Sequence, residues 1–168
     1  MMKAIAAVNL AGYIGKGGDL LYSIKEDMKY FATVTHGKTL VMGRKTLLSL
    51  PGGTGLKGRT NVVLSRSMTE EEAARRGVML ARDVKGLLAL LSRLTISLED
   101  TYVIGGGEIY ALLLPYCDTL YITRILREDA GETRFPDIPA DFALTEGALQ
   151  TSTNGVPFRF DRYDKLSQ

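Results

Sequence analysis

A chain of 168 residues, 45% hydrophobic and 24% charged, is long enough to close one proper core, too short for two, and globular rather than disordered in composition. A net charge of +2, with no run of Lys and Arg interleaved with aromatics, leaves no footprint for nucleic acid. The single cysteine, Cys117, and single histidine, His36, exclude an internal disulfide, a four-cysteine metal site, and Ser-His-Asp hydrolysis unless His36 is itself the base.

No metal site is expected. The apolar stretch at residues 1–8 is too short for a signal peptide, and the run at 87–91 is far short of a membrane span, so a cytoplasmic protein without a membrane partner is expected.

Residues 3–9 form a short apolar run rich in Ala, Ile and Val, as in a strand buried on both faces. Residues 10–23 follow as a long loop with Gly12, Gly15, Gly17 and Gly18, which is either mobile surface or a lid over a site. Residues 25–31 read as helix. Neighbours three or four apart share a face, so Asp27 lies with Met28 and Phe31 while Lys25, Glu26 and Lys29 turn away. A carboxylate aimed into an apolar interior is costly unless paired. Asp27 therefore either caps the helix and meets water, or finds a donor in the fold or in a ligand. A Lys or Arg already paired with it would remove the ligand alternative.

Residues 39–42 are a second buried strand, and Gly43-Arg44-Lys45-Thr46 leads into a helix through Leu50. Cations at a helix N-terminus oppose the macrodipole, so this is a bound-anion site or a solvated basic turn. A Gly-rich loop at 51–58 ends in Arg59, and a third strand at 61–65 is followed by Arg66. Thr69 opens a helix with a capping box to Glu72. A fourth strand at 78–81 ends at Arg82, residues 84–94 form a helix of strong apolar periodicity, and a fifth strand at 101–104 turns at Gly105-Gly106-Gly107 into a helix that stops before Pro115. Runs at 119–125, 142–149 and 156–163 follow without intervening helices.

This alternation predicts an α/β fold, one domain over 1–168. It is a three-layer sandwich with a central, mostly parallel eight-stranded sheet, an antiparallel C-terminal hairpin, and helices on both faces.

Two near misses are set aside. His36-Gly37-Lys38-Thr39 imitates the end of a P-loop, but Ala32 stands where its first glycine belongs and the motif precedes a strand. Gly105 to Tyr110 starts like a dinucleotide fingerprint and lacks its last glycine. In such sheets ligands sit at the carboxyl ends of the parallel strands. Several loops there are phosphate-friendly and three carry arginines, which suits a dinucleotide with an extra phosphate.

The segments Ile5-Ala6-Ala7, Tyr13-Ile14-Gly15, Asp27-Met28-Lys29-Tyr30-Phe31, Val41-Met42-Gly43-Arg44-Lys45-Thr46, Gly58-Arg59-Thr60-Asn61, Val103-Ile104-Gly105-Gly106-Gly107 and Gly131-Glu132-Thr133-Arg134-Phe135-Pro136 are each weak signals. In this order and spacing the chain resembles the dihydrofolate reductase family over nearly its whole length. The resemblance implies hydride transfer from NADPH C4 to C6 of dihydrofolate with protonation at N5, giving tetrahydrofolate for one-carbon metabolism.

It also implies roles. Asp27 looks like the lone acid of the pterin pocket, with Thr123 behind it and Ile5, Ala7, Met28, Phe31, Leu50, Leu56 and Ile104 as walls. Arg59 resembles the clamp on the substrate's glutamate carboxylate. Ala7, Ile14 and Gly15 resemble the nicotinamide carboxamide site. Gly43 to Thr46 and Gly105 to Gly107, with Glu108 and Ile109, resemble two helix starts gripping the diphosphate, and the first two glycines of that turn are joined by a cis peptide in the family. Tyr110 is expected near the nicotinamide ribose. Leu64, Ser65, Arg66 and Arg82, with Arg44 and Lys45, resemble the 2′-phosphate pocket.

The chain departs from the family at Leu20-Leu21-Tyr22, where an apolar lid residue is usually followed by Pro-Trp. Leu20 and Tyr22 join Asp27 as candidate catalytic residues, with Tyr22 in place of the water-holding indole. A second arginine usual in the loop at 51–55 is also absent. A monomer that binds antifolates such as diaminopyrimidines is expected. Two rivals stand beside this reading: another reductase of the same fold, acting on a pyrimidine ribosyl phosphate or a different pterin, and a non-catalytic NADPH-binding module. The acid at position 27 speaks against both.

Overall fold

In the computed structural model, which describes residues 1–16 and 19–167 but not the side chains of Lys16, Asp19 and Leu20, strands and helices alternate through the first two-thirds of the chain. The order is β1 (Met2–Asn9), β2 (Tyr13–Lys16), β3 (Asp19–Leu20), α1 (Lys25–Thr35), β4 (Thr39–Met42), α2 (Arg44–Ser49), β5 (Thr60–Leu64), α3 (Glu70–Arg75), β6 (Met79–Ala81), α4 (Val84–Arg93), β7 (Thr101–Gly105) and α5 (Gly107–Leu113). Only strands follow these: β8 (Cys117–Ile125), β9 (Thr133–Arg134), β10 (Phe142–Thr145), β11 (Gln150–Thr151) and β12 (Pro157–Lys165), after a single 3-10 turn at Leu114–Tyr116.

The main sheet runs β10-β12-β8-β1-β7-β4-β5-β6, with β11 as a further short partner of β12. From β8 to β6 every pairing is parallel, while β12 is antiparallel to both β8 and β10. This is the expected architecture. Of the run at 142–149 only β10, Phe142–Thr145, is strand, and β11, Gln150–Thr151, lies just past it.

Helices cover both faces because the strands are apolar on both. Successive side chains point to opposite faces, and β1, β4 and β5 sort accordingly. Ala4, Val8, Val41, Val62 and Leu64 join the cluster under α4 and α5 with Leu87, Leu91 and Leu113. Ile5, Leu40, Met42 and Val63 join the cluster under α1, α2 and α3 with Phe31, Leu47 and Ala73.

Three local expectations are corrected. Residues 10–23 are not a bare loop: β2 pairs antiparallel with β3 and with β9, making a small second sheet. Backbone pairing with a strand over a hundred residues away is invisible to local pattern. Gly17 and Gly18, part of the expected glycine lid, lie outside the described residues.

On α1 the face turned inward carries Tyr30, Phe31 and Val34, whereas Met28 is 61% exposed. Position 28 lies at the edge of the stripe defined by 27, 31 and 34. At α3, Thr69 Oγ1 accepts from Glu72 N at 3.0 Å, but the Glu72 carboxylate does not return to close the box. It binds Arg44 and Arg76 instead, because two guanidinium groups outbid one backbone N–H for a carboxylate.

Candidate active site

The start of α1 is fastened from outside. Asn154 Nδ2 donates to Ser23 O at 2.9 Å, and Thr153 donates to Glu26 Oε2 through its backbone N at 3.0 Å and its hydroxyl at 3.2 Å. The N-cap, Ile24, is 3% exposed and offers no side-chain cap. Asp27, in the first turn, does not cap the helix. Its Oδ1 accepts a 2.5 Å hydrogen bond from Thr123 Oγ1 on β8, a residue 1% exposed. Among the described residues it has no Lys or Arg partner. Burial pushes its carboxyl above the usual carboxylate range, and the Thr123 hydroxyl offsets only part of that. A half-buried acid with one neutral donor and nothing to neutralise it suits an incoming group with N–H donors.

Around it the sheet supplies apolar surface. Ile5 is buried at 5% exposure, and Phe31, Leu50, Leu56 and Ile104 pack against the same cluster. Arg59, at the end of the Gly-rich loop, donates from Nη1 to Lys57 O at 2.8 Å and from Nη2 to Ala32 O at 3.3 Å, while its buried Nε has no partner. Its fork is thus spent partly on holding the loop to α1.

The segment following β1 closes against Ala7. A hollow of about 10 Å³ there is lined by Ala7, Tyr13, Ile14, Leu21, Tyr22 and Ile125, room for about one water. The Tyr22 hydroxyl, the candidate stand-in for the water-holding indole in a different position, donates to Asp129 Oδ2 at 2.5 Å. Asn9 Nδ2 donates to Asp129 O at 2.7 Å, and Asn9 Oδ1 accepts from Ala11 N at 3.1 Å and Tyr13 N at 2.9 Å. Sequence reasoning missed both Asn9 and Asp129. Asn9 had a signal, a polar side chain ending an apolar strand; Asp129 had none. Leu20 pairs through its backbone in β3, and its side chain lies outside the described residues.

The two glycine turns come together at the ends of β4 and β7. Gly43 N donates to Gly105 O at 2.8 Å, the Gly105-Gly106 peptide is cis as expected, and Gly105 has φ +116. Gly43 caps α2 and Gly106 caps α5, neither with a side-chain hydrogen bond. A Cβ at Gly43 would meet Ile109 Cγ1 at 3.0 Å, and one at Gly107 would meet Thr133 Cγ2 at 2.7 Å. Bare backbone at two adjoining helix starts fits the diphosphate of a dinucleotide.

Tyr110 is the residue expected near the nicotinamide ribose. It is 5% exposed, packs against Phe135, and donates to Ile5 O at 2.6 Å, so it braces β1 from within the core. Leu64 is 6% exposed and Glu108 lies at the surface. Gly15 O accepts from Glu132 N at 2.8 Å.

Beyond β5 and β6, the basic side chains are only partly available. Arg44 is held by Glu72, Nη2 to Oε2 at 3.0 Å and Nε to Oε1 at 3.4 Å. Arg82 donates from Nη1 to the carbonyls of Ser65, Arg66 and Met68, shaping that turn. Ser65 Oγ accepts from Met68 N at 3.1 Å. Lys45 and Arg66 are exposed, and among the described residues their side chains make no hydrogen bond or ion pair.

A family model described as dihydrofolate reductase matches residues 1–165. The dihydrofolate reductase of Mycobacterium tuberculosis strain H37Rv is 34% identical over 169 residues, covering 98% of both chains. Dihydrofolate reductase type 3 of Salmonella typhimurium is 39% identical over 137 residues, covering 82% of this chain and 79% of its own. The dihydrofolate reductase of Bacillus subtilis strain 168 is 31% identical over 168 residues, covering 98% and 95%.

Proposed function

Because the chain belongs to the dihydrofolate reductase family, enzymes that reduce dihydrofolate with a nicotinamide cofactor and bind antifolates, we propose that this one uses NADPH and receives the pterin ring on Asp27. The observation that carries this reading is the Asp27 carboxylate, half-buried against one hydroxyl donor and no cation. Its two oxygens accept from the ring N3–H and the 2-amino group in a paired, charge-assisted geometry. A cationic pterin lowers the carboxyl pKa that burial raised. Thr123 fixes the carboxylate's orientation, and Ile5, Phe31, Leu50, Leu56 and Ile104 exclude water from the ring, with Met28 joining from its exposed position once a ligand covers it.

Arg59 exchanges its contacts to Lys57 O and Ala32 O for the glutamate carboxylate of the substrate, a better acceptor for a planar fork. Gly43 to Thr46 and Gly105 to Gly107 hold the cofactor's diphosphate, and Ala7, Ile14 and Gly15 orient its carboxamide. Bound there, the reduced nicotinamide supplies the hydride for C6. Asp27 tunes the ring electrostatically, while a water admitted past residues 13–22 delivers the proton to N5. Tyr22 contributes an apolar wall whose hydroxyl Asp129 anchors. The preference for NADPH over NADH is supported by the cations gathered beyond β5 and β6, namely Arg44, Lys45, Arg66 and Arg82, around Ser65. A single domain over 1–168, acting as a cytoplasmic monomer, completes the reading.

The test is the fall in reduced-nicotinamide absorbance on adding dihydrofolate, run with NADPH and with NADH. Turnover faster with NADPH, and blocked by a diaminopyrimidine, supports the proposal. Binding of NADPH without turnover overturns it.

A further inference from the structure

Thr123 and Arg124 are neighbours on β8, as Ala7 and Val8 are on β1, and in each pair the two side chains face opposite sides of the sheet. Thr123 faces Asp27. Arg124 and Val8 face the other side, where a second cavity of about 160 Å³ is lined by Val8, Phe135, Pro136 and Ile138 together with Arg124 and Arg134. We propose that this cavity is a binding site for a small carboxylate with a ring or short apolar body, separate from the Asp27 cleft.

Size and wall chemistry set the class. A cavity of about 150 Å³ holds benzene, and the four apolar residues offer such a body contact in an open, partly polar cavity. Charge sets the rest. Among the described residues neither arginine makes an ion pair, although Asp137 also lines the cavity. Arg124 donates from Nη1 to Asn9 O and from Nη2 to Tyr163 OH, both at 3.1 Å, which leaves Nε and one N–H on each Nη. The Arg134 guanidinium lies 5.0 Å over the Tyr13 ring, and among the described residues its side chain makes no hydrogen bond. Arg124 is half-buried and Arg134 exposed, and a planar fork matches a carboxylate in bidentate fashion. Phosphate, more highly charged and without an apolar body, would waste the walls.

The site touches the root of the segment that closes over Ala7. Arg124 holds Asn9, whose side chain caps Ala11 and Tyr13. Phe135 N donates to Gly12 O at 2.9 Å, and a Cβ at Gly12 would lie 3.0 Å from Arg134 Nη2. An occupied cavity therefore clamps residues 9–13, and amide exchange there slows.

The experiment is an NMR titration of the full chain with benzoate, with folate saturating the Asp27 cleft and no cofactor present. Expected are saturating shifts at Gly12, Arg124 and Phe135 that benzyl alcohol does not produce. Binding weakens about tenfold or more in Arg134→Gln and is lost in Ile138→Trp, which fills the cavity and keeps both charges. Should Arg134→Gln fail to fold, Arg124→Lys keeps the charge and loses the fork, and is expected to weaken benzoate likewise. Shifts that never saturate, that vanish when folate is present, or that inorganic phosphate reproduces at equal concentration would overturn the proposal, as would folded variants that bind like wild type.

Discussion

Replacing Asp27 with Asn distinguishes a carboxylate kept for a ligand from one kept for the fold, because activity and stability are expected to move in opposite directions. In the folded protein burial raises the carboxyl pKa and the Thr123 hydroxyl only partly compensates. The folded state therefore holds this proton more tightly than the unfolded chain. Between the ordinary carboxylate pKa and the raised folded value, the native state binds more protons, so stability falls as pH rises through that window and stays lower above it. Asn escapes that loss. Without ligand, Asp27→Asn is expected to melt higher than wild type at neutral pH, with the gap closing toward acid.

Turnover goes the other way. A hydrogen bond to a charged group is worth about 1.5–3 kcal/mol, and the carboxylate is proposed to make two. Asn can accept one and opposes the other with its own N–H₂, so at least one bond, about 1.5–3 kcal/mol, is lost, or about one to two powers of ten in kcat/KM. The loss should ease at low pH, where substrate arrives already protonated. The assay is nicotinamide absorbance across pH, beside calorimetry of the same two proteins. Equal kcat/KM at neutral pH, or an unliganded variant that melts several degrees below wild type, would refute the reasoning.

Tyr110→Phe removes the buried hydroxyl from Ile5 O; leaving that carbonyl unpaired is expected to cost about 1–3 kcal/mol, read as a fall in Tm of about 2–4 °C per kcal/mol. Tyr22→Phe frees Asp129 and is expected to speed amide exchange at residues 126–132 about fivefold while the pH profile of kcat stays put, since the hydroxyl is not on Asp27. Glu72→Gln releases Arg44 from its ion pair and is expected to raise the KM ratio of NADH to NADPH about two- to fivefold, a surface-charge effect that added salt should erode.

Local pattern carries a long way in this chain. Apolar runs at period two and stripes at period 3.6 announce β1, β4, β7 and the helices between them, because burial on both sheet faces imposes those periods on the residues themselves. The glycines at 43, 105 and 107 announce themselves too, since a Cβ there would press on Ile109, Tyr110 or Thr133. What local pattern does not hold is who meets whom. Met28 lies at the edge of its helical stripe, and only the packed helix shows that it faces solvent. That Arg44 pairs with Glu72 is likewise absent from the residues beside it.

By itself, then, the sequence determined the sheet, its helical layers, the acid on α1 and the two glycine turns, each encoded in residues a few positions apart. Only the tertiary structure decided the partners, because they come from distant points in the chain. Thr123 reaches Asp27 across 96 positions and Asp129 takes the Tyr22 hydroxyl across 107. Hydrogen bonds of that span exist only once the hydrophobic layers have closed, and the chemistry of both side chains is set by those neighbours.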